Sequence, residues 1–226
     1  MLLPLRGGTI NNLARSLGAR RKRPESMLAH VVKDFRQGRT HEVTERDLIL
    51  VNGKHYGYIV GAGLIVNFLR LYYSGRNPGP LRAFWLLARL GVSNIFKTSL
   101  IGSVVKTFHA DILCDGERVP FRSFSILLAS TVSHIGLGVR PFYLSARKAG
   151  WYHVLAGPST PGQLLSSLYR FFRGFPANLP SLYDNMAQEL VVEFAEPQAF
   201  TINGDVLDPV KVLRLEPGPR VSFIAG

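Results

Sequence analysis

Two dipeptides constrain this chain more than any other feature: Asn52-Gly53 and Asp115-Gly116. Each sits between apolar, β-prone runs, and Asn-Gly or Asp-Gly is the pair that most easily takes the left-handed backbone of a two-residue hairpin turn. Residues 47–51 and 54–60 are therefore the arms of one predicted hairpin, and 108–114 and 118–129 the arms of a second. Between them, 64–73 and 81–105 are apolar at helical length, separated by a Gly/Pro breaker at 74–80. Another helix is expected over 161–173, after Ser159-Thr160. Four runs, 189–195, 199–202, 210–215 and 220–224, read as strands parted by Pro and Gly turns.

The first forty residues follow a different pattern. A short apolar run, 1–5, ends at Gly7-Gly8, and Thr9 then caps a helical stretch over 10–17 that Gly18 stops. A second helix is expected over 25–37, with Pro24 at its start and Gly38 just past its end. Met27, Leu28, Val31, Val32 and Phe35 give that helix an apolar stripe. One strand and two helices cannot cover their own backbone and apolar faces, so this piece reads as part of a larger α/β unit. The expected class is α+β: a remnant of an α/β nucleotide-binding domain (1–40), then a β-sandwich-like domain with helical insertions (41–226). The last strands, 199–226, are candidates to return to the first part.

Composition narrows the classes. With 46% hydrophobic and 19% charged residues over 226 positions, general disorder is excluded. A single cysteine, Cys114, rules out an intramolecular disulfide framework and fits a reducing compartment. The uncharged run 123–139 has 17 residues and is rich in Ser and Thr, short of the roughly 20 apolar residues that span a bilayer. Gly7-Gly8 cuts off any signal-peptide apolar region. A cytoplasmic protein, peripheral at a membrane, is the expectation.

A net charge of +12 asks for an anionic partner. Residues 1–40 carry nine Lys/Arg against two acids, and Arg20, Arg21, Lys22 and Arg23 form a continuous basic run. Such a run is either a solvated loop or a contact for phosphates or an anionic membrane surface. Nucleic acid is the weakest reading, because no zinc-finger spacing or RNP-like aromatic segment accompanies the run.

The most informative stretch is Pro4-Leu5-Arg6-Gly7-Gly8-Thr9-Ile10-Asn11-Asn12-Leu13-Ala14-Arg15. Glycines let backbone N–H groups approach an anion, and a following helix N-terminus adds partial positive charge. Alone, this pattern is more often a plain strand-to-helix turn. The segment resembles the Pro-x-Gly-Thr-x-Asn-Asp-x-Ala-Arg signature of the diacylglycerol kinase and sphingosine kinase-like lipid kinases. The later features follow in that family's order: hairpins with a helical insertion, a Gly136/Gly138/Pro141 turn, and Asn203-Gly204-Asp205 near the end.

The resemblance implies ATP-dependent phosphorylation of a lipid hydroxyl, diacylglycerol being the type substrate, with ATP and Mg2+ as cofactors. It places Gly8, Thr9, Asn11 and Asn12 at nucleotide phosphates and makes Asp205 the general base for the lipid hydroxyl. Departures accompany it. The family's Gly-Gly-Asp-Gly-Thr loop would lie upstream of Met1, so the chain by itself is expected to be inactive. Asn12 replaces the usual aspartate, and Asn203 supplies no carboxylate. Lys148-Ala149-Gly150 stands where an Asp-Gly would help hold a structural divalent ion, and alanine has no donor oxygen.

Other residues carry less. His30, His41, His55, His109, His134 and His153 show no metal-ligand spacing. Ser130, Ser133 and His134 lack a nucleophile elbow. The aromatic groups Phe84-Trp85 and Tyr169, Phe171, Phe172 and Phe175 fit a core or an acyl chain. Three functions stay open: a lipid kinase, a non-catalytic lipid- or membrane-binding module of the same family, and a basic nucleic-acid-binding β domain.

Overall fold

Both hairpin turns form. Asn52 and Gly53 take φ of 50° and 66°, and Asp115 and Gly116 take 50° and 81°, the left-handed pairs that such turns require. They belong to a computed structural model that describes residues 2–4, 23–74, 79, 82, 85–86, 89, 105–136 and 138–224. The strands are β1 (Val43–Val51), β2 (His55–Gly57), β3 (Ile59–Gly63), β4 (Phe108–Cys114), β5 (Glu117–Arg118), β6 (Ser123–Phe124), β7 (Ile126–Ser130), β8 (Tyr152–Gly157), β9 (Tyr183–Ala187), β10 (Leu190–Ile202) and β11 (Asp205–Ile224). The helices are α1 (Pro24–Arg36), α2 (Leu64–Tyr73), α3 (Pro161–Ser166) and α4 (Leu168–Arg173). Mixed helix and antiparallel sheet make the class α+β.

The strand order is β2-β1-β11-β10-β3-β7-β8-β9, with β4 joined to β10, β5 and β6. Only Tyr58 separates β2 from β3, so the run β2-β1-β11-β10-β3 begins and ends on the same stretch of chain. The sheet therefore curls back on itself. Its inner face holds Ile49, Val51, Ile112, Phe124, Tyr152, Val192 and Leu213, all essentially inaccessible. Burial at this level stabilises by about 1.5–3 kcal/mol per large side chain. Strand β4 alternates buried and less buried positions with period two, whereas β7 and β8 are buried throughout. Their second face is covered by Val139, Phe142, Phe171 and Leu182, which bring α4 onto the sheet.

The structure revises several expectations. The second hairpin's return arm is broken near Pro120: β5 and β6 pair with β4, but β7 leaves to pair with β3 and β8. A proline cannot donate to the ladder, and it ends the arm there. Runs 189–195 and 199–202 are one strand, β10, with a register shift between Glu193 and Gln198. Runs 210–215 and 220–224 merge into β11. The 161–173 helix is two short helices that part at Ser167, the first opened by a Thr160–Gln163 capping box and the second closed by Gly174 at φ 70°. Strands β8 and β9 are additions. At the other end of the chain, Leu2 forms a parallel bridge to Phe223. Among the described residues no helix is long and apolar enough to cross a membrane.

Candidate functional site

Tyr58, the residue that interrupts β2–β3, ties four segments together. Its N–H donates to Asn203 Oδ1 at 2.8 Å, and the Ile59 N–H reaches the same oxygen at 3.2 Å. In return the Asn203 N–H donates to the Ile59 carbonyl at 2.8 Å. The Tyr58 carbonyl accepts from the Thr131 N–H at 3.0 Å and faces Ser130 Oγ at 3.0 Å. Its ring lies 6.1 Å from that of Phe223. The first described residues arrive beside Phe223, since the Leu2 N–H donates to Ser222 O at 2.8 Å and Ile224 N–H to Leu2 O at 2.9 Å. One end of the sheet thus gathers the chain's start, the β10–β11 turn and the loop after β7.

Asn203 and Gly204 turn with φ of 55° and 103°. Asparagine tolerates that region because its short amide bonds locally. Its neutral side chain accepts two backbone N–H groups, which explains why a carboxylate is not required at position 203. The turn presents Asp205, the first residue of β11, to solvent. Asp205 is close enough to α2 to act on it: the Tyr73 phenol is pushed up first by partial burial and then by the Asp205 carboxylate. Arg82 closes the same end of α2, its Nε donating to Tyr72 O at 2.9 Å and its Nη2 to Leu71 O at 3.2 Å. A carboxylate therefore stands beside the C-terminal end of α2, exposed and able to accept a hydroxyl hydrogen bond.

The other expected site residues fall differently. Gly8, Thr9, Asn11, Asn12, Arg20, Arg21 and Lys22 lie outside the described residues. Arg23 is the exposed N-cap of α1, with no capping bond from its side chain. Ser130 Oγ accepts from the Val132 N–H at 3.0 Å and serves the loop's backbone rather than a nucleophile's role.

No three His, Cys, Asp or Glu side chains converge among the described residues. A divalent ion would need ligands beyond these residues. At the Lys148-Ala149-Gly150 loop the carboxylate nearest to hand is already committed. Asp47 accepts from Gly150 N–H at 2.9 Å and from Arg220 at 2.8 and 3.0 Å. These residues do not suit a structural cation, since the guanidinium already supplies the positive charge and Ala149 adds no donor.

A second polar cluster was not legible in the sequence. His153, wholly buried on β8, meets Asp184 of β9 at 2.7 Å through Nε2. The Tyr143 hydroxyl donates to the same Asp184 oxygen at 3.1 Å, and burial followed by that carboxylate pushes its phenol up to about 12. Asp184 sits opposite Leu155 in the ladder, diagonal to His153. Tyr143 and Asp184 line a cavity of about 420 Å³ with Leu179 and Leu182. Only the pairing of β8 with β9 brings these residues together.

No family model matches this chain, and no curated protein matches it in sequence. Its backbone does match solved structures. A diacylglycerol kinase from Bacillus anthracis str. Sterne superposes over 97% of this chain and 65% of its own, with 16% identity and a TM-score of 0.62. Two further structures from that organism, named as candidate diacylglycerol kinases, cover 97% of this chain and 67% of their own, again at 16% identity, with TM-scores of 0.64 and 0.61. The chain spans about two thirds of the length of these proteins. At this identity the likeness is one of fold.

Proposed function

We propose that this chain forms the lipid-handling part of a diacylglycerol kinase-like phosphotransferase. The observation that carries the reading is the superposition of 97% of the chain on a diacylglycerol kinase, joined to the exposed carboxylate beside the C-terminal end of α2. In this reading Asp205 accepts the hydrogen of a lipid hydroxyl, which raises the oxygen's nucleophilicity toward the γ-phosphorus of ATP. Asn203 is a positioning residue that fixes the turn beneath it. Gly8, Thr9, Asn11 and Asn12 hold the nucleotide phosphates, and Mg2+ would neutralise the developing charge. Arg20, Arg21, Lys22 and Arg23 add contacts to an anionic membrane.

The test is transfer of labelled phosphate from ATP to diacylglycerol in mixed micelles containing Mg2+, with this chain joined behind a nucleotide-binding segment that carries the Gly-Gly-Asp-Gly-Thr loop. Transfer that falls at least about tenfold in both Thr9→Ala and Asp205→Asn supports the kinase reading. Transfer untouched by either change removes those residues from it. A second reading, a non-catalytic lipid-binding module, is favoured by Asn203, whose side chain is a neutral acceptor in the turn. Saturable lipid binding with no transfer selects it.

A further inference from the structure

We infer that the face formed by α4 and the residues just after it docks on an anionic phospholipid surface. Three large aromatics stand out from the protein here: Tyr169 is 68% exposed, Phe175 47% and Phe172 44%. They are not a failed core, because their neighbour Phe171 turns inward and is 8% exposed among Val139, Phe142, Leu155 and Leu182. The helix spends one aromatic on the core and leaves its others in water. Singly exposed apolar residues need no explanation, but three within seven positions do.

Arginines are interleaved with these rings. The Arg173 guanidinium lies 5.9 Å from the ring centres of both Tyr169 and Phe175. Arg140 Nη2 donates to the Phe172 carbonyl at 3.2 Å, and Arg170 Nε donates to the Pro176 carbonyl at 2.5 Å. No Asp or Glu occurs between positions 118 and 183, a stretch that carries seven Lys/Arg. Asp184, the next acid along the chain, is bound to His153 and Tyr143. Along this stretch of chain the aromatics are therefore interleaved with basic side chains alone.

That charge selects the occupant. A second copy meeting this face across a two-fold axis would set arginine against arginine. An anionic bilayer instead offers phosphates to Arg140 and Arg173 and an interfacial region where aromatic rings settle. The inference goes beyond the phosphotransferase reading and holds equally for a non-catalytic module.

The experiment measures binding of the 226-residue chain to vesicles of phosphatidylcholine alone and of phosphatidylcholine with phosphatidylglycerol. Binding is expected only to the anionic vesicles and is expected to weaken as salt rises. Tyr169→Ser with Phe175→Ser, and separately Arg140→Gln with Arg173→Gln, should each reduce affinity at least tenfold while the circular dichroism melt is kept. Tyr169→Trp should shift its emission to the blue on the anionic vesicles, a readout independent of affinity. Equal binding to neutral vesicles, or unchanged binding in both double variants, would overturn the inference. So would loss of all binding when only Arg20, Arg21, Lys22 and Arg23 are changed to serine, which would place the contact on the basic run. A concentration-dependent dimer abolished by the aromatic variant would assign the face to a second copy instead.

Discussion

Arg220 grips Asp47 with two nitrogens, Nε on Oδ1 at 2.8 Å and Nη2 on Oδ2 at 3.0 Å. The pair joins β11 to β1 in the middle of a ladder, beside its register shift, where Asp47 and Arg220 are direct partners. Through Gly150 N–H it also fastens the loop between β7 and β8. A two-point guanidinium–carboxylate contact is stronger and more directional than a single one. The loop thus has a protein-made clasp where a cation-binding carboxylate would otherwise be expected.

That clasp predicts how stability depends on acid. Arg220's hydrogen bonds hold the Asp47 carboxyl below the usual carboxylate value, with the Gly150 amide helping and burial opposing. A carboxylate depressed in the folded state gives stability that is fully present above the unfolded value near pH 4 and lost as pH falls through the folded one. Asp47→Asn should lower the melting temperature at neutral pH, by about 1 kcal/mol in stability or a few degrees. The gap between wild type and variant should shrink below about pH 4. Melts recorded from neutral to acid pH check it, and a gap that widens in acid would contradict the clasp.

Asn203 makes a separate prediction. Its Oδ1 satisfies the Tyr58 and Ile59 amides from a left-handed backbone at φ 55°. Asn203→Ala removes the acceptor and strains the turn, so it should cost about 1–3 kcal/mol in urea unfolding. Asn203→Asp keeps an acceptor and tolerates the same φ. It should lie within about 1 kcal/mol of wild type.

Cys114 lies on the inner face of the sheet, 3% exposed, and burial pushes its thiol up to about 11. The thiolate is the reactive species. At pH 8 the native protein should therefore react with a disulfide reagent at least about a hundredfold slower than the unfolded chain. Native and urea-unfolded rates measured side by side decide it. Comparable rates would mean that this part of the core opens readily.

What could be read beforehand was what is local. Asn52-Gly53 and Asp115-Gly116 determine their own backbone, so both hairpin turns were legible, as was the Pro24-to-Gly38 frame of α1. Strand β8 was not, because Tyr152–Gly157 is buried on both faces and shows no alternation to read. Strand β11 looked like several strands because of Pro209, Pro217 and Pro219. Pro217 faces Ile49 beside a register shift, where an N–H donor is dispensable. The same holds for Pro197, which falls in the unpaired gap of β10. Asp205 was legible as a candidate base through the resemblance, but its closeness to Tyr73 was not, since it depends on how α2 packs on β10 and β11. The His153–Asp184 contact spans 31 residues and exists only through strand pairing.

In the phosphotransferase reading Asp205 meets a lipid hydroxyl, and calorimetric titration with a short-chain diacylglycerol measures that contact. The account predicts saturable binding to the wild-type chain. It predicts a loss of at least about tenfold in affinity for Asp205→Asn, the size expected when a hydrogen bond to a charged acceptor is removed. The matching triester, which has no hydroxyl, should bind equally weakly to both proteins. Equal affinity of wild type and Asp205→Asn for the diacylglycerol, or no saturable binding at all, would contradict it.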